Sequence, residues 1–374
     1  MTRPKVLKLA PVRQAHNDWS SVEEIADIVE PSSAVTDKAS LIKEASTGAY
    51  DGVVAVFRDF ESIGPVDAAL LDALPPTCRF ICHNGAGYDQ IDVDECTARR
   101  ICVSNTPTAV NDATADIGMF LLLGALRNLG PSMAALRRGE WRGPPPVALG
   151  RDPQGKTLGI LGMGGIGRNM ANKARAFGMH IIYHNRSKLS PENEEGAHYV
   201  DMDTLLAESD VLSLNLPLNV CFSSSAFPLF PLPPPPPDSY GNTFLYRSII
   251  SSDPTRPKSS TRHSISRAEF ARMKRGIVIV NTARGAVMDE AALVDALADG
   301  TVASAGLDVF EEEPKVHPSL IHDERVFLVP HMGTCTYDTE KKMESWAIGN
   351  VRKAVAEAKL KSIVPEQRNL EKEL

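Results

Sequence analysis

Thr157-Leu158-Gly159-Ile160-Leu161, followed at once by Gly162-Met163-Gly164-Gly165-Ile166-Gly167, decides how this chain reads. The first five residues form a short apolar run of the length a buried parallel strand needs. The six that follow make a G-x-G-x-x-G turn, and from Ile166 the pattern becomes helical. Gly162 permits the tight turn, Gly164 lets a pyrophosphate approach the backbone, and Gly167 allows the helix to pack closely on the strand. Gly165 and Ile166 open the helix, whose N-terminus offers free N–H groups to phosphates. Such turns are common in isolation. Here a strand precedes it, a helix follows, and a second strand lies over residues 180–184, so the stretch predicts a dinucleotide-binding βαβ unit.

The end of that second strand bears on the choice of dinucleotide. NAD-binding units usually place an Asp or Glu there to hold the ribose 2′-hydroxyl. This chain has His184 and Asn185, then Arg186, Ser187 and Lys188. No carboxylate repels a 2′-phosphate, and Arg186 is suited to gripping one in a bidentate contact. NADP(H) is therefore the expected cofactor, with NAD(H) the alternative. A pair of solvated turn cations is the plainer reading of Arg186 and Lys188.

Working outward, apolar runs alternate with amphipathic stretches, the mark of α/β folds on parallel sheets. On the N-terminal side strands are predicted over 5–10, 52–57, 79–83 and 100–104, with helices over 22–29 and 67–74. A long apolar helix is expected over 110–128, capped by Asn111 or Asp112 and stopped by Gly130-Pro131. Further strands are expected over 211–216, 276–281, 303–309 and 326–329, and a final helix over 336–360. Two α/β units joined by the 110–128 helix result, with the last helix free to return to the first unit.

Composition narrows the function classes. The 374 residues carry 40 Lys+Arg against 47 Asp+Glu, a formal charge of −7, and no basic cluster, which argues against nucleic acid as a partner. No apolar run approaches the length of a membrane span. The N-terminus lacks a signal-peptide pattern, and Lys372-Glu373-Leu374 is not a retention or peroxisomal signal. Six cysteines form no CxxC pair, so reduced thiols in a cytosolic protein are expected, and no motif asks for a metal.

Three more residues fall at predicted strand ends, where open α/β sheets place their ligands. Arg284 lies in Asn281-Thr282-Ala283-Arg284-Gly285, Glu313 in Glu311-Glu312-Glu313-Pro314, and His331 after Val329-Pro330. Each alone has a bland reading as a surface cation, a solvated acid or a satisfied histidine. Beside a dinucleotide unit they supply an anion-binding cation, a proton donor and a carboxylate to orient it.

With these stretches in view the chain resembles the D-isomer-specific 2-hydroxyacid dehydrogenases, most closely their glyoxylate/hydroxypyruvate reductase branch. The matching blocks are HNGAGYD at His83, GMGGIG at Gly162, NLPL at Asn215, NTARGAVMDEAAL at Asn281, AGLDVFEEEP at Ala305 and VPHMGT at Val329. The resemblance implies two Rossmann/flavodoxin-like doubly wound parallel-sheet domains with a cleft between them. The coenzyme domain would span 107–334, and residues 1–106 with 335–374 would form the substrate domain.

It also implies roles. Arg284, Glu313 and His331 take the catalytic places: protonated His331 would give its proton to the substrate carbonyl, Glu313 would hold the imidazolium, and Arg284 would pair with the carboxylate. Backbone N–H groups of Asn84, Gly85, Ala86 and Gly87 would share that carboxylate. Thr282 and Ala283 would line the nicotinamide, Leu216 and Pro217 the cofactor's edge, and Asp308 its carboxamide or ribose. Trp141 would reach a partner subunit's substrate pocket in a homodimer; packing within its own domain is the alternative.

A small 2-oxo acid reduced with NADPH is the leading expectation. A dehydrogenase for a bulkier 2-oxo acid and a non-catalytic dinucleotide-sensing binding protein are the competitors.

One segment departs from the pattern. Residues 220–258 show neither period, carry nine of the 27 prolines, and interrupt the spacing between NLPL and Thr261-Arg262-His263. Their early part is rich in residues with pyrimidine-rich codons, and valine codons begin with GT as introns do. The segment reads as translated intron, which sequencing of the mature transcript tests directly; a genuine surface loop is the alternative.

Overall fold

A computed structural model describes residues 3–218 and 261–370. The 220–258 reading and the Lys372–Leu374 reading lie outside the described residues.

Among the described residues twelve strands form two sheets. β1 (Lys5–Lys8), β2 (Asp27–Val29), β3 (Val53–Asp59), β4 (Phe80–Asn84) and β5 (Cys102–Ser104) form the first, in the order β2-β1-β3-β4-β5. β6 (Thr157–Leu161), β7 (His180–His184), β8 (His198–Tyr199), β9 (Val211–Leu214), β10 (Ile277–Asn281), β11 (Val302–Leu307) and β12 (Val326–Leu328) form the second, in the order β12-β11-β10-β9-β6-β7-β8. Every pairing between these strands is parallel. The first order is that of flavodoxin-like sheets, and the second extends the Rossmann order by one strand. Chain direction reverses beside β1 in one sheet and between β6 and β9 in the other. Those switch points open crevices at the strands' C-terminal ends.

The central strands are buried on both faces, as near-continuous apolar runs require. Val6, Phe57, Ile81, Leu158, Ile160, Leu212, Ile279 and Leu307 are all at or near zero exposure. Helix starts follow side-chain chemistry: Asp67, Asp201, Asp289 and Thr336 each accept an N–H from three residues on.

The long helix Asn111–Leu126 packs on the second sheet, where Gly306 permits contact with Leu121 and Gly118 sits against Met170. Its start differs from the expectation. Val110 occupies the cap position without a side-chain bond, while Asn111 abuts Gly165 and Asp112 accepts from Asn169 of the dinucleotide helix. Gly130-Pro131 does not stop it either. The turn comes at Asn128, which takes a left-handed φ of 51°, and Gly130 and Pro131 fall in the first turn of a new helix, Leu129–Arg137, where proline's missing N–H costs nothing.

The predicted 22–29 helix is likewise corrected: the helix is His16–Glu23, and Asp27–Val29 is an edge strand.

The final helix, Tyr337–Glu357, returns to the first sheet and buries Ala347, Ile348 and Val351 against it. Buried Glu344 on that helix accepts from the backbone N–H groups of Arg13, Gln14 and Ala15 at 2.7–2.8 Å. Gln367 beyond it accepts from Val103 N–H and donates to the Ile101 carbonyl. Among the described residues no single helix is long and apolar enough to cross a membrane.

Candidate active site

The glycine turn follows β6 as read. Gly162 has φ of +98°, and a Cβ there would lie 2.7 Å from the Asn215 carbonyl oxygen, so this position excludes any side chain. At Gly167 a Cβ would fall 2.5 Å from the Gly162 oxygen, which is the close helix–strand approach expected of it. Gly164 is the opposite case: a Cβ would meet nothing within 4 Å, leaving its backbone open to a ligand. Gly165 and Ile166 begin the helix Gly165–Ala176.

Asn185, at the end of β7, turns its Oδ1 inward to accept from the Met163 N–H at 2.7 Å and so shapes the turn itself. Arg186 and Ser187 are exposed beside it, and Arg186 makes no hydrogen bond or ion pair with the described residues. Asn215 Oδ1 and Thr282 Oγ1, at the ends of β9 and β10, are buried without a partner among the described residues. Leu216 and Pro217 continue from β9, and Ala283 N–H is held by Asn281 Oδ1 at 3.0 Å. An open glycine turn with unsatisfied amide and hydroxyl atoms at adjacent strand ends fits a dinucleotide.

Arg284 projects from the end of β10 toward the first sheet. Its Nε donates to Asp89 Oδ1 at 3.0 Å, and its Nη1 to the Ala283 carbonyl at 2.9 Å. The guanidinium carbon lies 5.0 Å from the centre of the Phe60 ring, a cation–π distance, and Nη2 presses on the space a Cβ of Gly87 would need.

The loop Asn84–Gly87 itself is turned a particular way. The Gly85 carbonyl accepts from Thr106 N–H at 2.9 Å, the Ala86 carbonyl from Asn105 Nδ2 at 2.7 Å, and the Gly87 carbonyl pairs with His83 Nε2 at 3.0 Å. No described residue accepts from the N–H groups of Ala86 and Gly87. Carbonyls spent inward leave N–H groups available, the arrangement that binds anions. Burial, and then the Arg58 charge, hold the His83 pKa well below its ordinary value, so this imidazole is neutral and donates to Gly87.

His331 follows β12 with a left-handed φ of 54°. Its Nδ1 meets Glu313 Oε2 at 2.8 Å, while the other carboxylate oxygen of Glu313 accepts from the Phe310 N–H at 2.8 Å. One ring nitrogen is thus committed to the acid, and Nε2 remains for a reacting group. Asp308, at the end of β11, accepts from the backbone N–H groups of Met332 and Gly333 and so holds the turn that carries His331. Burial pushes its carboxyl up to about 6 against the help of those N–H groups and of His331. Each of its oxygens has one protein donor and keeps a further acceptor site.

Trp141 is 73% exposed with φ of 55°, so packing within its own domain is excluded for this chain.

The structure brings Arg284 together with Gly87 across the crevice, and His331 with Glu313 within the second unit. Sequence reasoning missed Asp89, His83 and Asn105. Asp89 and His83 lay inside the quoted HNGAGYD block, and an acid closing a glycine-rich turn was the available signal.

A dinucleotide turn, a cation beside unspent N–H groups and an acid-held imidazole define an NAD(P)-dependent oxidoreductase acting on a CH–OH group. Residues 119–220 and 248–333 match the model of the D-isomer specific 2-hydroxyacid dehydrogenase NAD binding domain. The chain belongs to that family, in its glyoxylate reductase branch. It is 48% identical to the 4-methyl-2-oxopentanoate reductase A of Aspergillus oryzae over 98% of this chain and 99% of that protein. A solved glyoxylate reductase from Paecilomyes thermophila superposes with a TM-score of 0.85 at 45% identity, covering 98% of this chain and all of that one. An NADPH-dependent glyoxylate/hydroxypyruvate reductase from Sinorhizobium meliloti, solved with NADP and malonate, has a TM-score of 0.76 at 26% identity, covering 98% of both.

Proposed function

We propose that this enzyme reduces a small 2-oxo acid of the glyoxylate or hydroxypyruvate kind to the D-2-hydroxy acid, with NADP(H) preferred over NAD(H). The observation that carries the reading is Arg284 set against Gly87, whose N–H and that of Ala86 no described residue accepts, in a chain whose His331 is held on Glu313 by Nδ1 with Nε2 left over.

In this account the substrate-binding domain is 1–106 with 335–374, and 107–334 is the coenzyme domain. Gly164 receives the pyrophosphate in the turn that Gly162 and Gly167 make possible, Thr282 and Asn215 offer their unpartnered atoms to the cofactor, and Arg186 takes a 2′-phosphate. The cofactor, when bound, supplies the hydride. Arg284 and the Ala86–Gly87 N–H groups hold the substrate carboxylate, which fixes the carbonyl carbon in place. His331 donates the Nε2 proton to the carbonyl oxygen, and Glu313 on Nδ1 holds the ring's orientation and stabilises its charged form. Exposed Phe120, Leu136, Trp141 and Leu149 support a homodimer in which Trp141 meets the second copy.

A second reading, a branched and bulkier 2-oxo acid, is favoured by the name and 48% identity of the Aspergillus oryzae relative. Initial rates of NADPH and NADH oxidation with glyoxylate, hydroxypyruvate and 4-methyl-2-oxopentanoate separate the two. Higher kcat/KM for the first pair supports the leading proposal, and the reverse order supports the second. Replacing Arg186 by Ala should raise KM for NADPH by about 10-fold and leave NADH alone; equal effects on both would remove Arg186 from phosphate binding.

A further inference from the structure

Arg284 and Glu313 stand on different loops, and the backbone behind them is in contact. The position of a Gly285 Cβ collides with the Phe310 carbonyl carbon and the Glu311 nitrogen, so the loop after Arg284 lies directly on the loop before Glu313. One carboxylate ties this junction together. Glu311 Oε1 accepts from His263 Nε2 at 2.6 Å and Arg262 Nη2 at 3.0 Å, and its Oε2 accepts from the Glu290 N–H at 3.0 Å. Glu290 returns the contact, its Oε1 accepting from the Glu311 N–H at 2.8 Å. The third segment is pinned as well: His263 N–H donates to the Ala286 carbonyl at 2.8 Å, and Ile265 bridges to Met288. Glu311 is 17% exposed and Glu290 6%.

Three stretches, 262–265, 284–290 and 310–313, thus converge on a side chain that none of the catalytic roles uses. Charge-assisted bonds of this kind are the stronger class and carry geometric information. Phe310 N–H, adjacent to Glu311, is also the group that holds Glu313 Oε1.

We propose that Glu311 is a positioning residue for the reaction: by clasping Arg262, His263 and Glu290 it keeps the anion-binding arginine and the carboxylate behind the proton donor in fixed relation. This rests on the 2-oxo acid reductase reading above. It acts through other residues, since its own oxygens are already engaged within the protein.

The test is E311Q in the full chain. An amide of the same shape keeps the packing but loses the charge and turns an NH2 toward donors. The expected result is a fall in kcat/KM for the 2-oxo acid of about 10- to 100-fold, as for an ångström-scale misplacement, with the Tm lowered and the Kd for NADPH near wild type. The alkaline limb of the pH–rate profile should move to lower pH, because a loosened Glu313 holds protonated His331 less well. If E311Q does not fold, H263A, which leaves the Glu311 charge and the Arg262 bond, should show the same changes at smaller size. Unchanged kcat/KM and an unmoved limb would overturn the proposal, as would losses confined to Tm and NADPH binding. If the wild-type chain reduces no 2-oxo acid, the reductase reading fails by itself. The His331 ring titration followed by NMR in wild type and E311Q then still decides the clasp, a downward shift supporting it and no shift overturning it.

Discussion

The two halves of the proposed catalytic apparatus are built differently. His331 and Glu313 sit within one unit, at the ends of neighbouring strands β12 and β11, joined at 2.8 Å and backed by Asp308 and Phe310 N–H. Arg284 comes from the same unit and donates there to the Ala283 carbonyl, but Asp89, Phe60 and Gly87, which it also meets, belong to the first sheet and its loops. The proton-donating half is therefore complete on one domain. On the roles proposed above, the anion-holding half lies where the two sheets' loops meet, which ties substrate binding to their approach.

The comparison can be broken by substitution, from the strongest effect downward. His331→Ala should cost roughly 10²–10⁴-fold in kcat, the usual range for a positioned general acid, with little change in substrate affinity. Arg284→Ala should lower kcat/KM by about 10²–10³-fold, with much of the loss in KM, and turnover near wild type would remove Arg284 from the mechanism. Asp89→Ala should cost less, about 10-fold, since one charged hydrogen bond is lost. Combined with Arg284→Ala it should add almost nothing; additive losses would mean Asp89 acts on something other than Arg284.

The smallest effect concerns Glu290, beneath both halves. Burial, reinforced by Glu311, Glu312 and Glu313, pushes its carboxyl from 4.5 to about 7. Its protonated form therefore favours the folded state. That contribution is complete below about 4.5 and is lost as pH rises through about 7. Glu290→Gln keeps an acceptor for the Glu311 N–H without the titration, so it should be more stable than wild type at pH 8 by about 1–2 kcal/mol and indistinguishable at about pH 4. Equal melting curves at pH 8 would contradict this.

Legibility in the sequence followed the same division. Strand interiors such as Thr157–Leu161 and Ile277–Asn281 show as apolar runs because both faces are buried, and the glycine turn shows because its backbone excludes side chains. Edge strands β2 and β8 were missed: three and two residues give no period, and β2 follows a turn at 24–26 that no glycine or proline marks. Residues acting within one unit, His331 and Glu313, were recognised as types at strand ends. Asp89 and Glu311 went unassigned because their partners are 195 and 48 residues away in sequence, and pairing at that separation leaves no local pattern.

The odd segment divides in the same manner. The family match breaks off at 220 and resumes at 248, and Thr261 Oγ1 donates to the Pro217 carbonyl at 2.5 Å, so the flanks already meet. A chain lacking 220–258 should bind NADPH with a Tm no lower than the full chain, since a shorter connection costs less closure entropy; failure to fold would make the segment part of the structure.

The division between the two halves is tested most directly by stopped-flow kinetics with NADPH and the preferred 2-oxo acid, which separate substrate Kd from the hydride-transfer rate. His331→Ala should slow the transfer step at nearly unchanged Kd, while Arg284→Ala should weaken Kd severely. Equal changes in both constants for both variants would contradict a proton donor built on one domain and an anion clamp built between two.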